Sequence, residues 1–184
     1  MNTGLIPVRY ATALLDFAGV GNQQENVYQE AKLLAKHFSQ FGQLRAAMDN
    51  PVLTLTDKRK LIVTAAGAKV SSSFDRFLDL VLQNNRENHL QEIALKYIDL
   101  YRRKNNIYYG KLTTATVVNA ATEAKLMKMI ESTTGGTIEM EKVIDPEIIG
   151  GFQFEVDFVR WDASVSGQLR KIRNEYIEKN KKTV

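Results

Sequence analysis

The chain has 184 residues, 44% hydrophobic and 25% charged, with a net charge of +4, a composition that excludes wholesale disorder and leaves room for two small domains. It holds no cysteine, so disulfides, thiolate metal sites and a cysteine nucleophile are excluded. No run approaches the ~18 apolar residues of a membrane-spanning helix, and the start lacks the basic-then-apolar order of a secretion signal, so a soluble, unprocessed chain is expected.

From Pro7 to about Lys104 the apolar spacing is helical, with Gly, Asn and Pro as punctuation. The first helix starts near Pro7, a residue suited to a first helical turn. It carries Ala11, Leu14, Leu15 and Ala18 and stops at Gly19 and Gly21. The second places Val27, Ala31, Leu34 and Phe38 at steps of three and four. A short third holds Phe41, Leu44 and Met48 until Asn50-Pro51, where the pre-proline residue is pushed out of helical geometry. Thr56 is the expected cap of a fourth helix with Leu61, Ile62 and Ala65. The run Ser71 to Ser73 caps a fifth with Phe74, Phe77, Leu78, Val81 and Leu82. The sixth aligns Leu90, Ile93, Ala94, Tyr97, Ile98 and Tyr101, and Arg102-Arg103-Lys104 complements its dipole. Six short helices with brief loops imply a bundle.

After Asn105 the period changes. Ile107 to Val118 is rich in Thr, Val and Tyr and reads as a strand. Asn119 to Thr133 returns to helical spacing with Leu126, Met127 and Ile130 before a stop at Gly135-Gly136. A second strand covers Ile138 to Val143. After a turn at Asp145-Pro146, Phe152, Phe154, Val156 and Phe158 alternate with Gln153, Glu155 and Asp157 as a half-buried strand. Asp162 or Ser164 caps a last helix with Val165, Leu169, Ile172 and Tyr176 inward and a frayed tail from Glu178. The expected fold is an α + α/β chain: a six-helix bundle over residues 1–105, then a smaller β-α-β-β-α domain over 106–184.

Chemistry is thinly supplied. His37 and His89 are the only histidines, and neither has a partner at metal-ligand spacing, so both read as surface or packing residues. Glu139 and Glu141 share a strand face of the kind exposed edges carry. Gly135-Gly136 and Gly150-Gly151 lack the lysine and hydroxyl of a phosphate loop. No catalytic residue, cofactor or metal is expected. The strand aromatics and the sequence pI of about 9.2 leave an RNA-binding or ribosome-associated protein as the alternative, although Phe152, Phe154 and Phe158 fit a core face better than a stacking platform.

Tyr10 lies on the first helix between Val8, Ala11 and Leu14, which are expected to face inward, and Ala13 beside it leaves room for a partner helix. Packing inside the bundle with the hydroxyl at its rim is an equal reading of that tyrosine.

Arg9-Tyr10-Ala11 followed by Ala13-Leu14, Asn50-Pro51 with Lys58 and Leu61, and Asn85-Arg86 with Leu90, Ile93 and Tyr97 form an ordered set. It ends in Val143-Ile144-Asp145-Pro146, Ile148-Ile149-Gly150-Gly151-Phe152, Asp157, Asp162, Ser164 and Leu169. That set resembles the delta subunit family of F-type ATP synthases, whose mitochondrial counterpart is the oligomycin-sensitivity-conferring protein. The resemblance implies a non-catalytic stator subunit at the cytoplasmic face of a bacterial inner membrane. It implies that the helical bundle binds the N-termini of the alpha subunits of the catalytic head, and that the second domain meets the b subunits of the peripheral stalk. Tyr10, Ala13 and Leu14 of the first helix and Phe77, Leu78 and Val81 of the fifth are the expected head-binding residues, since a docked helix sits between two helices on apolar anchors. Trp161 is bulkier than the family pattern leads one to expect before Asp162.

Overall fold

Apolar side chains at helical spacing close around one another in the first of two units, Met1–Asn105. The computed structural model describes residues 4–116, 137–156 and 159–181. The first unit holds α1 (Leu5–Val20), α2 (Gln24–Gln40), α3 (Gly42–Asp49), α4 (Leu55–Ala65), α5 (Ser72–Gln83) and α6 (Leu90–Lys104), with a 3-10 turn at Glu87–His89 leading into α6. Its buried cluster includes Ala11, Leu14 and Ala18 of α1, Val27, Ala31 and Leu34 of α2, Phe77, Leu78 and Val81 of α5, and Leu90, Ile93 and Tyr97 of α6. These are the stripes that the 3.6-residue period defines.

The sixth helix runs against both α1 and α2. Polar atoms at that seam are satisfied internally. The Tyr97 hydroxyl donates to the Gln24 carbonyl at 3.0 Å. The Tyr28 and Tyr101 rings stack at 4.3 Å, while Arg102 Nε donates to the Tyr28 hydroxyl. Burial raises the Tyr97 phenol well above its ordinary pKa, with Tyr101 and Glu30 adding to the shift.

Helix starts are set by side-chain caps. The Ser71 hydroxyl accepts from the Phe74 amide, and Glu30 of α2 in turn accepts from the Ser71 amide and hydroxyl. The cap of α4 is Thr54, which accepts from the Asp57 amide, and not Thr56. The helix begins one turn earlier than its first buried residue suggests, so the cap lies farther upstream.

The second unit, Asn106–Val184, is built on a sheet of order β2-β1-β3-β4. Its strands are β1 (Ile107–Thr114), β2 (Thr137–Ile144), β3 (Phe152–Val156) and β4 (Val159–Asp162). Strands β1 and β2 pair in parallel with Ile107 opposite Thr137, and β1 and β3 pair antiparallel with Leu112 opposite Phe154. Leu112, Ile138, Phe154 and Val156 are the buried core of this unit, with Tyr108, Met140 and Phe152 packed against it. Gly110 makes room for that core, since a Cβ there would lie 2.7 Å from the Phe154 ring.

The expected strand ending at Phe158 is instead a hairpin. Strand β4 folds back on β3 with Val156 opposite Val159, and Trp161 stacks on Phe154 at 5.7 Å. The last helix, α7, spans Val165–Lys181. The helix expected over Asn119 to Thr133, with Leu126, Met127, Ile130 and the Gly135-Gly136 stop, lies outside the described residues, as do Val118, Asp157 and Phe158.

Candidate partner-binding faces

Helical spacing puts Ile6, Tyr10, Ala13 and Phe17 on one line of α1, at steps of four, three and four. The line lies beside the buried stripe. Ile6 and Tyr10 are half-buried, Ala13 is exposed, and Phe17 is exposed at 43%. The Tyr10 ring meets Phe77 of α5 edge-on with centroids 6.2 Å apart, so the line borders α5. On α5, Leu80 is an exposed apolar residue three positions beyond Phe77.

The six expected contact residues therefore divide. Tyr10 and Ala13 are at the surface. Leu14, Phe77, Leu78 and Val81 are buried members of the core, because α1 packs on α6 and α5, and α5 packs on α1 and α4; they support the face without forming its outer layer. Val8, expected to point inward beside Tyr10, is exposed at 38%, since it falls on the opposite flank of the buried stripe. Arg9 is exposed and Ala11 fully buried. Phe17 and Leu80 were not singled out in the sequence, although the four-three-four spacing from Ile6 already places Phe17 on the Tyr10 line.

In the second unit the turns at Asp145-Pro146 and Ile149-Gly150-Gly151 build the approach to α7. Asp145 accepts from the Glu147 amide and donates its own amide to the Thr114 carbonyl at the end of β1. Next, Ile149 is the centre of a three-residue turn in which the Gly150 amide donates to the Ile148 carbonyl at 2.8 Å. Its φ is +67°, ψ −41°. A β-branched residue rarely adopts that conformation, and a γ-turn of this hand is strained. The Ile149 side chain is exposed at 64%. Gly151 has φ +76°, and a Cβ there would come within 2.2 Å of the Ala163 carbonyl oxygen, so only glycine fits.

Ser164, fully buried, is the cap of α7. Its hydroxyl accepts from the Gly167 amide at 3.0 Å and donates to Asp162 Oδ1 at 2.5 Å. These bonds from the Ser164 hydroxyl and amide hold the Asp162 carboxyl below its ordinary pKa, helped by Arg160. The Val165 amide donates to the Gly150 carbonyl, which fixes the helix start to the strained turn.

Beyond that anchored start, α7 departs from expectation. Val165, Leu169, Ile172 and Tyr176 were expected to face inward, but all four are exposed, Leu169 at 53% and Ile172 at 62%. Every residue from Gln168 to Ile177 is exposed. The apolar period is present, yet no element among the described residues covers it.

The histidines play structural parts. His37 Nδ1 lies 2.6 Å from the Ala65 carbonyl and ties α2 to the end of α4, and His89 sits 3.5 Å from Glu92. No group of three metal-ligating side chains occurs among the described residues. A cleft of about 530 Å³ lies against the Pro51 turn and is lined in part by Met48, Asp49, Lys58 and Glu87. Its wall holds a pair that no local sequence pattern connects: Lys58 Nζ is 2.7 Å from Glu87 Oε1, both side chains are largely buried, and Nζ also donates to the Met48 carbonyl. Phe154 is buried in the sheet core and Phe152 packs against it, so neither is available to stack a base.

A family model described as ATP synthase delta (OSCP) subunit matches residues 6–175. The ATP synthase subunit delta of Phocaeicola vulgatus is 43% identical over 185 residues, covering 100% of both chains, and that of Bacteroides fragilis is 40% identical over 186 residues, again 100% of both. The subunit delta of Prochlorococcus marinus is 32% identical over 94% of each chain. Among solved structures, a chain of the Toxoplasma gondii mitochondrial ATP synthase hexamer superposes with a TM-score of 0.66 at 18% identity, covering 93% of this chain and 97% of that one. At that identity the likeness is one of fold.

Proposed function

The chain belongs to the ATP synthase delta (OSCP) subunit family, and we propose that it joins the catalytic head to the peripheral stalk, the helical unit receiving the head and the α/β unit meeting the stalk. Membership makes it a structural and not a catalytic subunit of a rotary ATP synthase. No helix among the described residues is long and apolar enough to cross a membrane. The chain works peripherally, at the cytoplasmic face of a bacterial inner membrane, through the rest of the complex.

The observation that carries the head-binding half is the apolar line Ile6, Tyr10, Ala13 and Phe17 on α1, exposed toward its outer end and bordering α5. An amphipathic helix from an alpha-subunit N-terminus would lay its own i, i+3, i+4 and i+7 anchors along this line. The small Ala13 lets the backbones approach, while the aromatic rings at Tyr10 and Phe17 supply wide contact area at low entropic cost. Buried Phe77 meets the Tyr10 ring from below.

The mechanical task follows from the rotary machine. The rotor exerts torque on the head, and a static link has to hold the head while the rotor turns. Such a link needs slow dissociation and stiffness, which a packed bundle with an apolar face supplies without any chemistry.

Isothermal titration of the full chain with a synthetic alpha-subunit N-terminal peptide tests this. The expected result is a 1:1 complex that Phe17→Asp weakens at least about tenfold. Equal affinity for Phe17→Asp and the unaltered chain would sink the head-binding assignment.

A further inference from the structure

The buried pair of Lys58 and Glu87 forms part of the wall of the cleft against the Pro51 turn, and each member has hydrogen-bonding capacity left over. Lys58 carries three N–H donors. Two of them reach the Met48 carbonyl and Glu87 Oε1, each at 2.7 Å, and the third meets no acceptor among the described residues. Glu87 is 9% exposed, and its Oε2 is buried with no hydrogen-bond partner among the described residues. A buried polar atom left unmet is costly, and native interiors hold few of them.

The leftover groups are a donor and an acceptor on one ion pair whose charges cancel. A cation offered to Oε2 would also face the Lys58 ammonium, and an anion offered to Nζ would also face the Glu87 carboxylate. Away from bulk water either repulsion is strong. An uncharged group with an acceptor and a donor of its own meets neither. A primary carboxamide has that arrangement, its carbonyl accepting from Nζ and its NH2 donating to Oε2. Beyond the pair the cleft is walled by Met48, Pro51, Leu53 and Leu55, which offer contact to an aliphatic body. Its volume of about 530 Å³ lies in the range of small-molecule sites. Asn85 and Asn88 line it as well and are exposed, so their side chains can turn aside as a ligand enters.

We infer that this cleft binds a small uncharged amide, with its carboxamide held by Lys58 and Glu87 and its apolar body against the Pro51 turn. The site is built from the end of α3, the start of α4 and the 3-10 turn before α6, not from the α1 line that borders α5. A ligand held there joins three segments of the helical unit and stabilises the folded chain by mass action.

The test titrates the full chain with three compounds of nearly one shape, isovaleramide, isovalerate and isopentylamine, followed by backbone amide chemical shifts in isotope-labelled protein. Isovaleramide is expected to shift the Met48, Lys58 and Glu87 amides and to bind at least about tenfold tighter than the acid or the amine, because only the amide satisfies both groups of the pair. Lys58→Met combined with Glu87→Leu, which replaces the pair by apolar side chains, is expected to remain folded by circular dichroism and to lose that preference. The comparison of compounds stands whether or not this variant folds. Equal binding of the three compounds, tighter binding of a charged one, or no shifts at the cleft with isovaleramide overturns the inference, as does an undiminished preference in the folded double variant. N-acetylglutamine methylamide separates a peptide source of the same group: binding at least about tenfold tighter than isovaleramide would assign the cleft to a side chain of a neighbouring protein and overturn the free-ligand inference.

Discussion

Tyr10 of α1 meets Phe77 of α5 edge to face, centroids 6.2 Å apart at 73°, yet Phe77 is buried while Tyr10 stays at the rim. The pair couples an outward-looking ring to the core beneath it. Tyr10→Asp should leave the bundle folded by circular dichroism and lower affinity for the alpha-subunit peptide at least about tenfold. Phe77→Ala should instead cost about 3–5 kcal/mol of stability by opening a cavity, measured by urea unfolding. Unchanged affinity in folded Tyr10→Asp would separate Tyr10 from the binding face.

The ion pair of Lys58 and Glu87 is largely hidden from water, and the second carboxylate oxygen of Glu87 is buried with no hydrogen-bond partner among the described residues. Removing one partner strands the other charge. Lys58→Met is expected to destabilise the first unit by about 3–5 kcal/mol, and adding Glu87→Leu to recover most of that loss. Denaturant midpoints of the single and double variants measure it. Additive losses would show that the pair stabilises more than a hydrophobic replacement can.

Ile149 sits in its positive-φ turn with its side chain mostly in water, so little burial offsets the strain. Ile149→Gly removes a conformational cost of order 1–3 kcal/mol and adds the unfolded-state entropy of glycine, about 0.5–1 kcal/mol. A net gain of about 1 kcal/mol is expected, read as a raised thermal midpoint for the second unit.

Asp162 links pH to the start of α7. Its folded pKa is depressed, chiefly by Ser164, so its contribution is fully present above the ordinary aspartate pKa of about 3.9 and is lost as pH falls through the lower folded value. Acid titration of the chain should show that loss. Asp162→Asn should flatten it, and an identical acid profile in the variant would assign the transition to other groups.

Much of the first unit was legible because its helices each bury one stripe. The α6 residues Leu90, Ile93, Ala94, Tyr97 and Ile98 are all buried, as their spacing predicts. The cap of α4 was misplaced by two residues because Thr54 and Thr56 are both hydroxyl residues near the same boundary, and spacing alone does not choose between them. The hairpin between β3 and β4 was missed because no Asn-Gly or Asp-Gly pair marks it; apolar alternation runs straight through the turn.

The binding faces were legible in pattern and not in exposure. The period of α7 was read correctly, but periodicity reports that one face is apolar without saying whether this chain or another covers it. The same limit applies to Leu14, Phe77, Leu78 and Val81, which share the apolar character of Phe17 and Leu80 and differ only in burial. Lys58 and Glu87 are 29 positions apart, and no local pattern connects them.

On the proposed function one chain holds head and stalk at the same time through different units. Sedimentation velocity of the full chain mixed with the alpha-subunit peptide fused to a carrier protein and with a recombinant soluble segment of the b subunit measures this directly. The expected result is a single faster species containing all three components. Two binary complexes that compete for the chain, with no ternary species at saturating concentrations, would contradict it.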